Sequence, residues 1–438
     1  MQAVYHCICL YGMGHQELPP NILVELARWL APLATAGSVV LVVKSLRQHV
    51  RALVARCTGK SVAVYGPATE KAPLLAELGI QGVDMDRGPV KAHSYILLGS
   101  ETENLEFYHR NQSLLEGKNV YLKCSALPAQ ASDRCNLHLF CPEETAARFF
   151  WKKYCPYGIS VQAGHRMKIV LLGFGKLGRE LLLAALQNNI FDPEQHIEYH
   201  VFGAEDGFSS IYHQLSSISD PVVFHEELWQ NALPLLSEAN MVIAVQQEDQ
   251  LTLLRDLTLA LPEVTIHALT SQPDGAALLA SHASIVCYNW KVESLRLEHI
   301  VGTKLHLYAK RINLRYASLY DGAKETESNR EALWLKLDSF SRYSNISAAD
   351  YHDVQLRMLE GITLTPETLE WLAELEHIRW CRYHFLNNWT FGIPENGKNK
   401  DLGKRIHKLL IPYKQLDDQE KEKDRENIRI MLALDKAT

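Results

Sequence analysis

Short apolar runs alternate with segments of helical periodicity along the first 145 residues of the chain. Apolar runs of this kind, bounded by turn-forming residues, are typical of buried strands. Alternation of strands with helices predicts a parallel α/β sheet. The predicted strands cover residues 4–10, 38–43, 61–65, 94–98 and 120–124.

The alternation resumes after an aromatic linker at residues 149–157 and stops near Tyr288. From Lys304 onward the pattern changes to helical segments with polar joins. The predicted fold class is therefore α/β followed by α, with two Rossmann-like domains and a mainly helical C-terminal domain. The predicted domains are residues 1–148, 166–292 and 304–438, the last formed by one unit or by two in tandem.

Three glycines follow the predicted strand 168–172 at G-x-G-x-x-G spacing and precede a helical run. In dinucleotide-binding turns such glycines permit a tight turn, let a diphosphate approach the backbone, and let the helix pack on the strand. The helix N-terminus also favours an anion. The turn predicts binding of NAD(H) or another adenine nucleotide; the alternative is that the glycines serve packing only. The candidate residues are Gly173, Phe174, Gly175, Lys176, Leu177 and Gly178.

The next predicted strand, residues 196–202, normally ends at an acid that holds the ribose hydroxyls of a bound nucleotide. Here Gly203 and Ala204 follow the strand, and the acids Glu205 and Asp206 come later. Both acids are candidates for ribose binding, and a solvated acidic loop is the alternative. In the first domain Pro67 removes an N–H group from the corresponding turn, which predicts a degenerate Rossmann-like domain.

Composition limits the classes of function. The chain is 47% apolar and 22% charged, as ordinary globular proteins are. Its net charge of −6 argues against a nucleic acid partner. Its nine cysteines form no C-x-x-C pair, which predicts reduced thiols, no metal site and a cytoplasmic location. The longest apolar neighbourhood, residues 22–43, carries charges and a proline, so no membrane insertion is expected.

The glycine turn and a later stretch resemble a known family. Gly-Phe-Gly-Lys-Leu-Gly-Arg at residues 173–179 and Met-Val-Ile-Ala-Val-Gln-Gln-Glu-Asp-Gln at 241–250 are similar to RCK (TrkA-N-like) domains of potassium-conductance regulators. In the first domain Leu-Gly-Ser-Glu-Thr-Glu-Asn-Leu at 98–105 resembles the corresponding residues 244–251. The resemblance implies a bacterial cytosolic protein with tandem related units that regulates a channel or transporter.

The C-terminal part resembles the ryanodine-receptor repeat, or RyR domain. The shared pieces are a helix carrying Trp380, Asn-Trp-Thr-Phe-Gly at 388–392, Leu-Ile-Pro-Tyr at 410–413 and Lys-Glu-Lys-Asp-Arg at 421–425. Asn388 replaces the usual glycine of its turn, and asparagine tolerates left-handed backbone. A fainter copy begins near Leu305, which is why two tandem units are considered.

Titratable and cationic groups lie near aromatic residues in this C-terminal part. Such groups can meet a phosphate while the rings stack on a base. The hypothesis is a second, anionic ligand, and the alternative is that each side chain is solvated or packed in the core. The candidate residues are His377, Arg379, Trp380, His384, Trp389, His407 and Tyr413, with Arg405 and Lys408 nearby.

Three functions compete. The favoured one is a cytoplasmic ligand sensor that binds a nucleotide, forms homo-oligomers and acts on a membrane channel or another effector. The second is an NAD(P)-dependent oxidoreductase, which would need an acid or base facing the nicotinamide. No motif supplies that group, and no catalytic residue is assigned. The third is a scaffold whose nucleotide sites have decayed.

Overall fold

The computed structural model describes residues 26, 30, 50, 59–85, 88–124, 137–245, 249–271, 284–302, 306–395 and 397–435. The chain divides into two units, residues 1–121 and 122–438. The strands predicted at residues 4–10 and 38–43 lie outside the described residues. The predicted domain boundaries at 148, 166, 292 and 304 remain predictions.

Five described strands form the first sheet, in the order β2-β1-β3-β4-β5, and β1 pairs in parallel with both of its neighbours. The turn after β1 is closed, because a side chain at Gly66 would lie 2.7 Å from Leu98 Cβ. Atoms of Leu98 and Gly99 therefore fill the space in front of Gly66. The elements are β1 (Val62–Tyr65), α1 (Ala68–Leu78), β2 (Gly82–Asp84), β3 (Ser94–Leu97), α2 (Glu101–Arg110), α3 (Gln112–Leu115), β4 (Asn119–Lys123) and β5 (Leu137–Phe140).

Six parallel strands form the second sheet, in the order β11-β10-β9-β6-β7-β8. This is the doubly wound Rossmann order, in which the chain reverses direction across the sheet between β6 and β9. The elements are α4 (Pro142–Lys153), α5 (Tyr157–Gln162), β6 (Arg166–Leu172), α6 (Gly175–Asn188), β7 (His196–Phe202), α7 (Phe208–Ile211), β8 (Val222–His225), α8 (Leu233–Ser237), β9 (Met241–Ala244), α9 (Gln250–Ala260), β10 (Ile266–Thr270) and β11 (Ile285–Asn289).

Both faces of the second sheet are buried. Successive side chains of a strand point to opposite faces, so Ile169 and Leu171 join one hydrophobic cluster while Val170 and Leu172 join another. This explains why β6 reads as a continuous apolar run. The two α/β sheets and the helical C-terminal region confirm the predicted fold class.

The C-terminal part is helical apart from three two-residue strands in the order β12-β14-β13. Its last helix begins where the sequence suggests, because Asp417 accepts a hydrogen bond from the Glu420 N–H at 2.9 Å. The elements are α10 (Trp290–Ser294), α11 (Leu297–Ile300), α12 (Leu307–Asp321), α13 (Glu327–Lys336), α14 (Ser339–Met358), α15 (Pro366–Leu386), β12 (Thr390–Phe391), β13 (Lys400–Asp401), β14 (Ile406–His407) and α16 (Asp418–Asp435).

The helical part shares its core with the second sheet. Tyr351 of α14 and Leu375 and Leu386 of α15 belong to the same buried cluster as Ile169 of β6. Within the described part of the chain, no helix is long and apolar enough to cross a membrane.

Candidate functional site

The glycine turn lies at the carboxyl end of β6, beside the point where the strand order reverses. Ligands of doubly wound sheets bind in the crevice at this point. The turn is closed on one side by the Gly173 N–H, which donates to the Phe202 carbonyl at 2.8 Å. The predicted turn and helix start are therefore present at the position that a nucleotide site would occupy.

Each glycine of the turn has a different structural role. Gly173 has a φ of +94°, which only glycine adopts readily. A side chain at Gly178 would lie 3.2 Å from the Phe174 ring and 3.3 Å from the Gly173 carbonyl, so α6 packs tightly here. Gly175 has a φ of +52°, and no atom lies within 4 Å of where its side chain would be. The space in front of Gly175 is open.

The other three residues of the turn divide between the core and the surface. Phe174 is buried, with its ring 5.5 Å from Phe208 and 5.2 Å from Phe224 in edge-to-face contacts. Leu177 is also buried, whereas Lys176 is exposed. Lys176 is therefore the one charged side chain of the turn that faces solvent.

The two candidate ribose acids have different environments. The Glu205 carboxylate accepts a hydrogen bond from the Ser209 N–H at 2.8 Å. The Ser209 side chain, together with this backbone bond, lowers the pKa of Glu205. Asp206 is exposed, with a left-handed φ of +50°. At the tip of β7, a side chain at Gly203 would lie 3.1 Å from the Phe174 N atom, so the usual position of the acid is closed.

The candidate ligand residues of the C-terminal part, apart from Arg379, form one aromatic cluster, whereas the Arg379 guanidinium is bonded to Glu376 and Ser347. The Trp380 ring lies 4.1 Å from His384, 4.9 Å from His407 and 5.6 Å from His377. Trp389 lies 5.4 Å from His384. Sequence reasoning predicted this grouping, and the structure shows that most of its members are buried.

The cations of this cluster already have partners. Both nitrogens of His377 face acceptors, since Nδ1 lies 3.3 Å from Asp424 Oδ2 and Nε2 lies 2.8 Å from the Ile411 carbonyl. Burial alone would lower the pKa of His377, but the hydrogen bond with Asp424 and the neighbouring Cys381 raise it to about 11. Arg379 is 2% exposed, and its guanidinium donates two hydrogen bonds of 2.8 Å to Glu376.

The other two histidines are neutral. Burial lowers the pKa of His384 to about 3 and that of His407 to about 4. The His407 Nδ1 accepts from the Leu409 N–H at 3.1 Å, and the Tyr413 hydroxyl donates to Glu370 at 3.1 Å. Of the seven candidates, only Trp380 is not classed as buried, so the cluster is largely a packed core.

A cavity that sequence reasoning did not predict lies elsewhere in the second unit. It includes Trp389 and Arg405 from the predicted set, together with Glu144 and Glu180. The sequence signal that could have indicated this cavity is the helical spacing of two acids relative to apolar residues. Glu144 precedes the buried Ala147 by three residues, and Glu180 lies between the buried Leu177 and Ala184. A carboxylate in an apolar stripe indicates a buried polar site. Among the described residues, no three acidic, histidine or cysteine side chains group as metal ligands would.

Comparison with known proteins identifies one domain. Residues 359–435 match the family model of the RyR domain, which confirms the predicted C-terminal resemblance. The match does not extend to the two sheets, and their resemblance to RCK domains remains a prediction. No curated protein matches the chain.

Similarity to solved structures is weak. The chain is similar to the C-domain of LpoA (YraM) from Haemophilus influenzae, with a TM-score of 0.29 and 12% identity over 70% of this chain and 89% of that one. It is also similar to L-tryptophan dehydrogenase from Nostoc punctiforme, with a TM-score of 0.26 and 11% identity over 75% of this chain and 88% of that one. Similarity at this level carries no argument about function.

Proposed function

We propose that this chain is a ligand-sensing regulatory protein that binds the diphosphate of an adenine nucleotide, such as NAD(H), at residues 173–178. The observation that carries the proposal is Gly175. It lies at the N-terminus of α6, where backbone N–H groups attract anions, and the space in front of it is open. In the first sheet the corresponding turn at Gly66 is closed, so the proposal concerns the second sheet alone.

Two neighbouring charges complete the proposed site. Lys176 is exposed next to Gly175 and is suited to a phosphate oxygen. Glu205 already accepts a bond from the Ser209 N–H on one carboxylate oxygen, and its other oxygen could accept from a ribose hydroxyl. The exposed Asp206 is the second candidate for the ribose.

The regulatory part of the proposal rests on the resemblance to RCK domains. It comprises a cytoplasmic location, a homo-oligomeric state and an effect on ion transport or signalling through a channel or other effector. The RyR domain adds the hypothesis of a second, anionic ligand. For that ligand to bind, Arg379 would have to release Glu376, and His377 would have to release Asp424. The geometry therefore favours the glycine turn as the first site to test.

The test is calorimetric titration of the full chain with NAD, NADH, ATP and ADP-ribose, repeated with Gly175→Val. The valine side chain would occupy the open space, so we expect binding of the best ligand to be abolished. Gly322→Val is the matched control. Gly322 has a similar left-handed φ of +68° and equally open surroundings, but it ends α12 far along the chain from the turn.

This control distinguishes loss of binding caused by a blocked site from loss of binding caused by backbone strain. Such strain costs about 1–2 kcal/mol for a left-handed non-glycine residue. Circular dichroism melts should show that both variants fold. Unchanged affinity in a folded Gly175→Val protein would mean that the glycines serve packing only.

A further inference from the structure

The second unit contains a cavity of about 640 Å³, a size typical of small-molecule sites. Helices α4, α6 and α14 and the turn after α15 contribute to its walls. None of residues 173–178 lines it, but Arg179, which does, donates to the carbonyl of Asp206, so the cavity adjoins the proposed nucleotide site. The exposed residues Leu402 and Arg405 lie among its lining, so the cavity opens to solvent.

Aromatic rings supply much of the cavity wall. Phe340 and Trp389 are stacked with ring centroids 5.3 Å apart, and Tyr212, Tyr343 and Tyr383 add three more rings. Aromatic faces carry negative potential and attract organic cations, most strongly where water is excluded. Burial raises the pKa of Tyr212 and Tyr383, so these phenols stay neutral at physiological pH.

The unpaired polar groups of the cavity include two carboxylates. Among the described residues, those of Glu144 and Glu180 form no hydrogen bond or ion pair. Such groups are costly to bury alone, so a ligand that supplies N–H donors would satisfy them.

The charges of the lining leave an excess of one carboxylate. Glu144, Glu180, Asp338 and Asp350 face three guanidinium groups, those of Arg148, Arg179 and Arg405. Arg148 is already paired with Asp350 through bonds of 2.5 and 2.9 Å, and Asp338 accepts from the Ser341 N–H at 2.7 Å. The two glutamates are therefore the acids left for a ligand.

We propose that this cavity binds an organic monocation, with an amine or amidine head between Glu144 and Glu180 and an apolar body against the aromatic rings. The head supplies N–H donors to the unpaired acceptors, and its single charge balances the lining. Arg179 donates to the Asp206 carbonyl and lies 5.8 Å from the centre of the Phe208 ring, and Arg405 donates to the Asn387 carbonyl. Neither arginine forms an ion pair among the described residues, so both disfavour a second positive charge on the same ligand.

Binding should release protons. Burial raises the pKa of Glu144 to about 7 in spite of Arg148, and it raises that of Glu180 to about 8 with a further contribution from Glu144 and Glu143. The neighbouring Cys141 thiol has a raised pKa and stays neutral. A bound cation would favour the ionised form of both glutamates. Affinity for the cation should therefore rise between pH 6 and 9, and the number of protons released on binding should fall over the same range.

The test uses the full chain with phenethylamine and benzamidine, and with 2-phenylethanol and benzamide as their neutral counterparts. Calorimetry at pH 6.5 in two buffers of different ionisation enthalpy should show that at least one cation binds and releases more than one proton, since both glutamates are largely protonated before binding. We expect the neutral counterpart to bind at least tenfold more weakly. We also expect Glu144→Gln and Glu180→Gln each to weaken cation binding at least tenfold.

Glu263→Gln is the matched control, since Glu263 is an exposed acid outside the cavity, and it should bind as the wild type does. Thermal melts at pH 8 should show that both cavity variants are folded, because glutamine keeps the shape and removes a buried charge. The proposal fails if neither cation binds at millimolar concentration, if the neutral compounds bind equally well, or if both cavity variants bind like the wild type. The glycine-turn experiment is independent of each of these outcomes.

Discussion

At the scale of single residues, the three histidines near Trp380 show how surroundings set protonation. His377 has acceptors on both ring nitrogens and is a cation, whereas His384 and His407 are buried without an acidic partner and are neutral. All three were predicted together as ligand groups because the sequence shows only their spacing. Their charges differ because Asp424, which is distant in the sequence, lies beside one of them.

We predict that His377 stays protonated at pH 8 and becomes neutral in Asp424→Asn, because burial alone lowers the pKa of a histidine. Nitrogen chemical shifts of the imidazole ring measure this. His384 is the internal control and should be neutral at pH 6 in both proteins.

The same raised pKa has a consequence for stability. The folded pKa of His377, about 11, lies above the ordinary value of 6.5. The contribution of protonated His377 to the free energy of unfolding is therefore complete below pH 6.5 and is lost as the pH rises toward 11. A neutral His377 in the wild type at pH 8 would contradict both statements.

At the scale of elements, helix α15 (Pro366–Leu386) is buried on two faces. Leu375 on one face and Ala373 on another are both fully buried. Arg382 attaches this helix to the second sheet, since its guanidinium lies 2.7 Å from Asp220 Oδ2 and donates to the Leu186 carbonyl at 3.2 Å. Asp220 also accepts from the Ile197 N–H at 2.9 Å.

We predict that Asp220→Asn lowers the free energy of unfolding by about 3–5 kcal/mol, because it leaves Arg382 buried without a counter-charge. The double variant Asp220→Asn/Arg382→Met should recover part of this loss, since no unpaired charge remains. Urea unfolding measures both.

Glu238→Gln is the control for the loss of an ion pair. Its partner Lys168 lies 2.7 Å away at the surface, and such solvent-exposed pairs contribute little to stability. An Asp220→Asn effect as small as that of Glu238→Gln would show that the buried pair does not hold α15 in place.

At the scale of the molecule, the second sheet and the helical C-terminal part form one core. The Tyr351 hydroxyl of α14 donates to the Ile190 carbonyl at 2.7 Å, and Arg148 of α4 pairs with Asp350. Tyr351, Leu375 and Leu386 complete the cluster that contains Ile169 of β6. The helical part was predicted as a separate domain because its sequence pattern changes near residue 304, but the pattern does not show what covers its apolar faces.

We predict that a fragment of residues 304–438 lacks a cooperative thermal transition, whereas residues 122–438 unfold in one. The short fragment leaves Arg382 without Asp220 and exposes apolar side chains of α14 and α15. Circular dichroism melts and binding of a hydrophobic dye measure this. A cooperative melt of the short fragment at the temperature of the longer one would show that the RyR domain is stable alone.

The sequence by itself determined the order of strands in the second sheet, the glycine turn and the RyR domain, but it did not predict β2 and β5 of the first sheet. The features it determined depend on neighbouring residues: the run before Gly173, the glycine spacing and the short motifs around Trp389 are all local. The left-handed Asn388, with a φ of +60°, was predictable for the same reason.

Only the tertiary structure decided which charges are paired and where the cavity lies. Arg379 and Glu376 could be read as a helical pair, but Asp424 beside His377, Asp220 beside Arg382 and Asp350 beside Arg148 come from distant parts of the chain. The same holds for Glu144 and Glu180, which face one cavity from two helices. The physical reason is that burial and charge pairing depend on what packs against a side chain, and residue spacing within one helix does not contain that information.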